Sequence, residues 1–126
     1  YGSMAYAGLR SFMYAKLSAD DPRVAAVKEW LGKNYTVEEN PGMGAQGLYY
    51  YYQTMAKALT AANVDQLQLG DGKKADWRTE LANKILSAQR EDGSWVNSNG
   101  RWMESNPVLV TSYTVLALEQ ILDSIP

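Results

Sequence analysis

Three of the five helical segments in this sequence carry almost no charge, and the other two are striped with it. The first, from about Gly2 to Leu17, is built from Met4, Tyr6, Leu9, Phe12 and Met13, with Arg10 as its interior charge. The third, from about Leu48 to Ala62, carries only Lys57, and the first three turns of the fifth, Val108 to about Leu122, carry no charge. The second segment runs from Pro22 to about Asn34. It sets Val24, Val27, Trp30 and Leu31 on one face and Arg23, Lys28, Glu29 and Lys33 on the other. The fourth runs from Asp76 to about Gln89, with Trp77, Leu81, Ile85 and Leu86 as its apolar stripe. A helix apolar on every side must be buried on every side or line a non-aqueous cavity, whereas a striped helix shields its neighbour from water. The alternation predicts an all-α chain with inner and outer helices in turn.

Local signals place the boundaries. Asp21 before Pro22 reads as an N-cap with proline at the first helical position, Asp76 reads as a second N-cap, and Pro107 opens the last helix. The stretch from Tyr35 to Gly47 holds Pro41, Gly42, Gly44 and Gly47 and reads as a loop, as does the Gly- and Asn-rich stretch from Arg90 to Asn106. Leu67 to Lys74 reads as a small hairpin turning at Asp71-Gly72. Tyr49-Tyr50-Tyr51-Tyr52 would also suit a strand. The run continues through Gln53 to Ala62 as unbroken helix formers, so helix is the reading adopted. Asp21 and Asp76 open the two striped helices 55 residues apart, with Trp30-Leu31 and Ile85-Leu86 at matching offsets, which marks an internal repeat.

At 126 residues and 46% hydrophobic, the chain can bury a core as one domain, residues 1–126. A net charge of −2 with no basic block argues against nucleic acid as a partner. The absence of cysteine and histidine removes disulfides, thiolate nucleophiles, and the commonest general base and metal ligand. No cofactor and no metal site is expected. The charge-free stretch from Ser105 to Leu118 is shorter than the roughly 20 residues a membrane span needs. Because the sequence opens at Tyr1, inside or just before a helix, it is expected to be a fragment of a longer protein. Its compartment stays open.

Gln89, a short spacer and then Gly93-Ser94-Trp95 follow the fourth helix. This Gln…Gly-x-Trp pattern, together with the helix alternation, resembles the repeat of the squalene–hopene cyclase and prenyltransferase superfamily of α/α toroids. The first repeat departs from the pattern: Asn34 stands in the glutamine position and Gly42-Met43-Gly44 lacks the tryptophan. The resemblance implies a partial α/α toroid of about five main helices. It also implies structural roles for Gln89 at a helix end, Gly93 in a tight turn and Trp95 against the neighbouring repeat. The reactive groups of the relatives are missing. There is no Asp-x-Asp-Asp acid, since Asp20-Asp21 sits at a helix start. The Asp, Cys and His of the zinc prenyltransferases and the Cys–Gln thioester of complement-like relatives cannot be assembled without Cys or His.

Two groups of residues remain as candidates for a site. Tyr49, Tyr50, Tyr51 and Tyr52 span about 300° of a helix, so they cannot share one face. Some must pack in the core while one or two point inward, where aromatic faces suit an apolar ligand or a sugar. Glu38 and Glu39 lie in one loop before an inner helix, and Arg101, Trp102 and Glu104 lie in the next such loop. Loops on a rigid scaffold are where sites are built. Glu38, Glu39, Arg101 and Glu104 are the candidate catalytic groups, and the four tyrosines with Trp102 the candidate ligand-binding ones. No carboxylate pair among them has a spacing that defines a reaction.

Three functions fit these residues. One is a terpenoid-cyclase-like or prenyltransferase-like repeat domain that binds or transforms an isoprenoid or other apolar small molecule. Another is a carbohydrate-active, polysaccharide-lyase-like toroid. The third is a non-catalytic repeat domain with structural or interaction roles. An incomplete arc of repeats leaves apolar flanks, so the expected partners are the rest of a parent chain or a second copy. Whether the chain meets a membrane surface is left open.

Overall fold

Asp21 and Asp76 open the two amphipathic helices with their own carboxylates. Asp21 Oδ1 accepts from the Arg23 amide at 2.9 Å, and Pro22 supplies a first residue with no N–H to satisfy. Asp76 accepts from the Thr79 amide at 3.3 Å and from the Thr79 hydroxyl at 2.7 Å. In the computed structural model, residues 1–126 form a predominantly helical chain. Its helices are α1 (Gly2–Tyr14), α2 (Pro22–Lys33), α3 (Leu48–Ala61), α4 (Trp77–Ser87) and α5 (Pro107–Asp123). A hairpin of β1 (Leu67–Gln68) and β2 (Lys74–Ala75) pairs antiparallel with Leu67 opposite Ala75.

Helix ends follow local backbone chemistry. α1 stops at Tyr14, short of the expected Leu17, because Lys16 turns left-handed at φ 60°. The Lys16 and Leu17 amides then bond back to Met13 and Phe12 carbonyls at 3.0 and 3.1 Å. Asn63, at φ 54°, ends α3 in the same way, with the Val64 amide on the Leu59 carbonyl at 3.0 Å. Both are six-to-one closures that satisfy carbonyls the helix leaves free.

α3 is the central element. α1 lies against one side of it and α5 against the other, while α2 packs on α1 and α4 on α5. The N-terminal halves of these three helices come together: the Tyr6 ring meets Tyr51 and the Tyr50 ring meets Tyr113, at 5.7 and 5.9 Å between centroids. The shared core includes Tyr6, Leu9, Leu31, Met55, Trp77 and Ile85.

Burial separates the three charge-poor helices. α3 is buried almost all round, from Tyr49 to Leu59 with only Tyr50 and Lys57 partly open. α1 and α5 each bury the face toward their neighbours and expose the opposite one, because each has an inner neighbour on one side only. Val108, Val115, Leu116 and Leu122 of α5 are thereby exposed. The striped helices also differ from each other. Leu31, ten residues past Asp21, is buried; Ile85, nine past Asp76, is buried while Leu86 is exposed. The two amphipathic helices start alike yet turn different offsets toward the core.

α2 meets the hairpin through Gly32. A Cβ there would lie 2.1 Å from the Gln68 carbonyl oxygen, so the hairpin backbone passes where a side chain would otherwise stand.

Candidate functional site at the helix N-termini

The loop from Arg90 to Asn106 returns to the start of α3 and places a carboxylate there. Glu104 is fully buried, and its two oxygens accept from the Tyr49 and Tyr50 amides, both at 3.0 Å. Those amides belong to the first turn of α3, whose N–H groups have no partner within the helix. The helix dipole favours an anion at this point, and hydrogen bonds to charge are the stronger kind. Asn97 fixes the carboxylate from the other side, donating its side-chain amide to Glu104 Oε1 at 3.1 Å and to the Ala45 carbonyl at 2.7 Å. Those bonds tie the two inner-helix loops together.

Asn40 does the corresponding work for α1. Its Oδ1 accepts from the Ser3 amide at 3.0 Å, and its amide donates to Ser3 Oγ at 3.3 Å and to the Gln46 carbonyl at 3.2 Å. In both cases the loop that leads into one charge-poor helix caps the charge-poor helix before it. α5 is capped locally instead, by Asn106 Oδ1 on the Val108 amide at 3.0 Å.

Between these capped ends lies a recess of about 280 Å³. Its apolar walls are Met4, Met43, Tyr50, Trp102 and Tyr113, and Gln46 lies at its polar side. Tyr50 and Tyr113 meet edge to face, which braces their rings without filling the space between α3 and α5. Burial is the main cause of a raised Tyr113 pKa, with the Glu104 charge adding to it, so its hydroxyl stays neutral and able to donate. Trp102 stands at the mouth, 60% exposed, with the Arg101 guanidinium over its ring at 4.7 Å. Trp102 and Met103 both hold left-handed backbone, at φ 59° and 64°. Each such residue costs roughly 1–2 kcal/mol, and neither is glycine or asparagine. This backbone sets the indole at the rim, and strain of this kind clusters at binding sites.

The structure separates the four tyrosines. Tyr49, Tyr51 and Tyr52 are core residues; the Tyr51 and Tyr52 hydroxyls donate to the Thr36 and Val37 carbonyls at 2.7 and 2.6 Å. Tyr50 alone faces the recess, beside Trp102. Glu104 reaches the recess wall but is engaged with backbone amides and Asn97. Arg101 lies over Trp102. Glu38 and Glu39 do not line the recess: Glu38 is exposed and pairs with Lys84 at 2.6 Å, and Glu39 is exposed. Asn40, Asn97, Met4, Met43 and Tyr113 complete the site without having been singled out by sequence pattern. Asn40 and Asn97 sit in Asn- and Gly-rich loops where many amides look alike, and Tyr113 reads as one more apolar position of α5.

In the Gln…Gly-x-Trp segment, the Gln89 side chain bonds within its own loop and the Trp95 indole bonds back to α4. Gln89 donates its side-chain amide to the Gly93 carbonyl at 3.0 Å, Gly93 turns at φ 86°, and the buried Trp95 donates its indole N–H to the Ile85 carbonyl at 2.8 Å. A larger groove of about 1030 Å³ runs between α2, the hairpin and the C-terminus. Lys28, Glu29, Asp65, Lys74 and Arg78 line it together with Ala62, Val64, Leu67 and Leu69, and no aromatic ring does. No three His, Cys, Asp or Glu side chains come together as a metal site, and no helix is long and apolar enough to cross a membrane.

No protein-family model, curated protein or solved structure matches the chain.

Proposed function

We propose that the chain is an α/α-repeat segment of squalene-cyclase-like type, part of an incomplete toroid, whose recess binds one end of an apolar, isoprenoid-like ligand. Supporting the toroid reading are three charge-poor helices side by side, two amphipathic helices packed on them, and the Gln89–Trp95 segment. The ligand reading rests on one observation: Tyr50, Tyr113, Trp102, Met4 and Met43 surround a space left open at the ends of three helices. Its volume of about 280 Å³ lies just below the roughly 300–1,000 Å³ of small-molecule sites, which suits a chain terminus or a single ring. Thioether and aromatic walls adapt to a flexible hydrocarbon.

The proposal assigns binding and no reaction. An acid able to protonate a ligand would need a free proton-bearing group in the recess. Glu104 holds backbone amides, Glu38 is ion-paired, Glu39 faces water and Arg101 covers Trp102. The same facts give the polysaccharide-lyase alternative less support, since its charged residues do not converge.

Mass spectrometry of an organic extract from the purified chain tests the reading. A stoichiometric isoprenoid or hydrocarbon, lost when Tyr50 and Tyr113 are both changed to Ala, is the expected result. A clean extract, with no uptake of a short prenyl alcohol supplied in solution, would overturn it.

A further inference from the structure

The exposed face of α5 carries apolar side chains that the fold leaves uncovered. Val108, Val115, Leu116 and Leu122 recur at helical spacing along one stripe, and Leu122 is 69% exposed. Ser112 and Glu119 are exposed on the same face among these apolar side chains. Exposed apolar side chains grouped in this way mark an interaction site. The charges on this face have one sign. α5 carries Glu119 and Asp123 and no basic residue.

The outward face of α1 is its counterpart. It runs through Gly8, Ser11 and Tyr14, and an added Cβ at Gly8 would meet nothing within 4 Å. The charges here have the opposite sign: Arg10 in the helix, Lys16 just beyond it, and no acidic residue in α1. The chain's four ion pairs are Arg23–Asp21, Lys33–Glu29, Arg78–Asp65 and Lys84–Glu38. Arg10, Lys16, Glu119 and Asp123 belong to none of them. Arg10 bonds only the neutral Tyr14 hydroxyl, at 2.6 Å from Nη2.

We propose that copies of this chain associate head to tail, with the outward face of α5 in one copy against the outward face of α1 in the next. Such a contact repeats the side-by-side arrangement already made by α1 with α3 and by α3 with α5. It covers the α5 stripe and brings Glu119 and Asp123 toward Arg10 and Lys16, all near the C-terminal ends of their helices. Complementary charge selects this pairing over α5 against α5, which would set acid against acid. The contact is heterologous, with different surfaces on the two partners.

Sedimentation of the chain over a range of concentrations tests this, with helicity checked by circular dichroism. Wild-type chain is expected to exceed the 14.0 kDa monomer mass as concentration rises. Leu116→Lys sets a cation in the α5 face against the basic α1 face, and Ser11→Glu sets an acid in the α1 face against the acidic α5 face. Each variant alone is expected to stay monomeric, and an equimolar mixture to form a species of twice the monomer mass, because each retains the face the other lacks. Glu119→Lys is expected to weaken wild-type association about tenfold, with most of that difference lost at high salt. A wild-type chain at 14.0 kDa throughout overturns the proposal and leaves the α5 face to a different partner. Self-association of Ser11→Glu alone also overturns it, since that requires an α5-to-α5 contact.

Discussion

Asn97 and Glu104 bind each other twice, the Asn97 amide to the Glu104 carbonyl at 2.8 Å and the Asn97 side chain to Glu104 Oε1 at 3.1 Å. The pair closes its own loop and presents a buried carboxylate to the first turn of α3. Removing the carboxylate leaves two buried or half-buried amides, of Tyr49 and Tyr50, without partners. Glu104→Ala is therefore expected to cost about 2–4 kcal/mol in a urea titration. Glu104→Gln keeps the shape but turns an N–H toward one of those donors, and is expected to cost about 1–3 kcal/mol. A Gln variant as stable as the parent would show that the carboxylate is not the cap described.

Gly32 and Gly8 give opposite results to the same substitution. At Gly32 a methyl group would sit 2.1 Å from the Gln68 carbonyl oxygen, against backbone that cannot rotate away. Gly32→Ala is expected to destabilise by about 1–3 kcal/mol. Gly8 lies in α1 with open space beside it, and Gly8→Ala is expected to stabilise by about 0.5–1 kcal/mol through helix propensity and a restricted unfolded chain. Thermal melts of both variants at low protein concentration check the pair of signs.

Stability should fall in alkali. Burial raises the hydroxyl pKa values of Tyr6, Tyr51 and Tyr52 above the ordinary 10.0. The unfolded chain ionises near its ordinary value while the folded chain keeps its protons. Above that pH the unfolded state binds fewer protons, so stability present below about pH 10 is lost as pH rises. Each of the three tyrosines contributes a slope of up to about 1.4 kcal/mol per pH unit. Urea midpoints measured from about pH 8 to about pH 11 should hold level and then drop; midpoints that stay level throughout would contradict the burial of these hydroxyls.

Local chemistry made much of the fold legible in the sequence. Asp21, Asp76 and Pro107 announce helix starts because a capping side chain acts within three residues of itself. Gly72, at φ 84°, and the Asp71 carboxylate on the Lys73 amide turn the hairpin where the sequence places it. The site was less legible, because its contacts join distant residues. Glu104 caps a helix that starts more than fifty residues earlier, and Asn40 accepts from an α1 amide 37 residues before it. Nothing in the identity of either residue distinguishes that role from a solvated loop position. The four tyrosines could be divided between core and cavity only once α1 and α5 were placed beside α3. Packing likewise decides that Leu86 is exposed and Leu31 buried, although the two hold the same offset from their caps.

The four tryptophans allow the central claim to be tested residue by residue. Trp77 and Trp95 have buried rings and indole N–H groups bonded to the Val64 and Ile85 carbonyls, Trp30 lies on α2, and Trp102 alone lines the recess. The indole N–H signals of ¹⁵N-labelled chain would be followed by NMR during titration with a short prenyl alcohol, with Trp102→Phe assigning its own peak. The account predicts a saturable shift of the Trp102 signal while the other three stay in place, and loss of that saturation in a Tyr50→Ala, Tyr113→Ala chain. A Trp102 signal that does not move, or four signals that drift together without saturating, would contradict a ligand site at these helix ends.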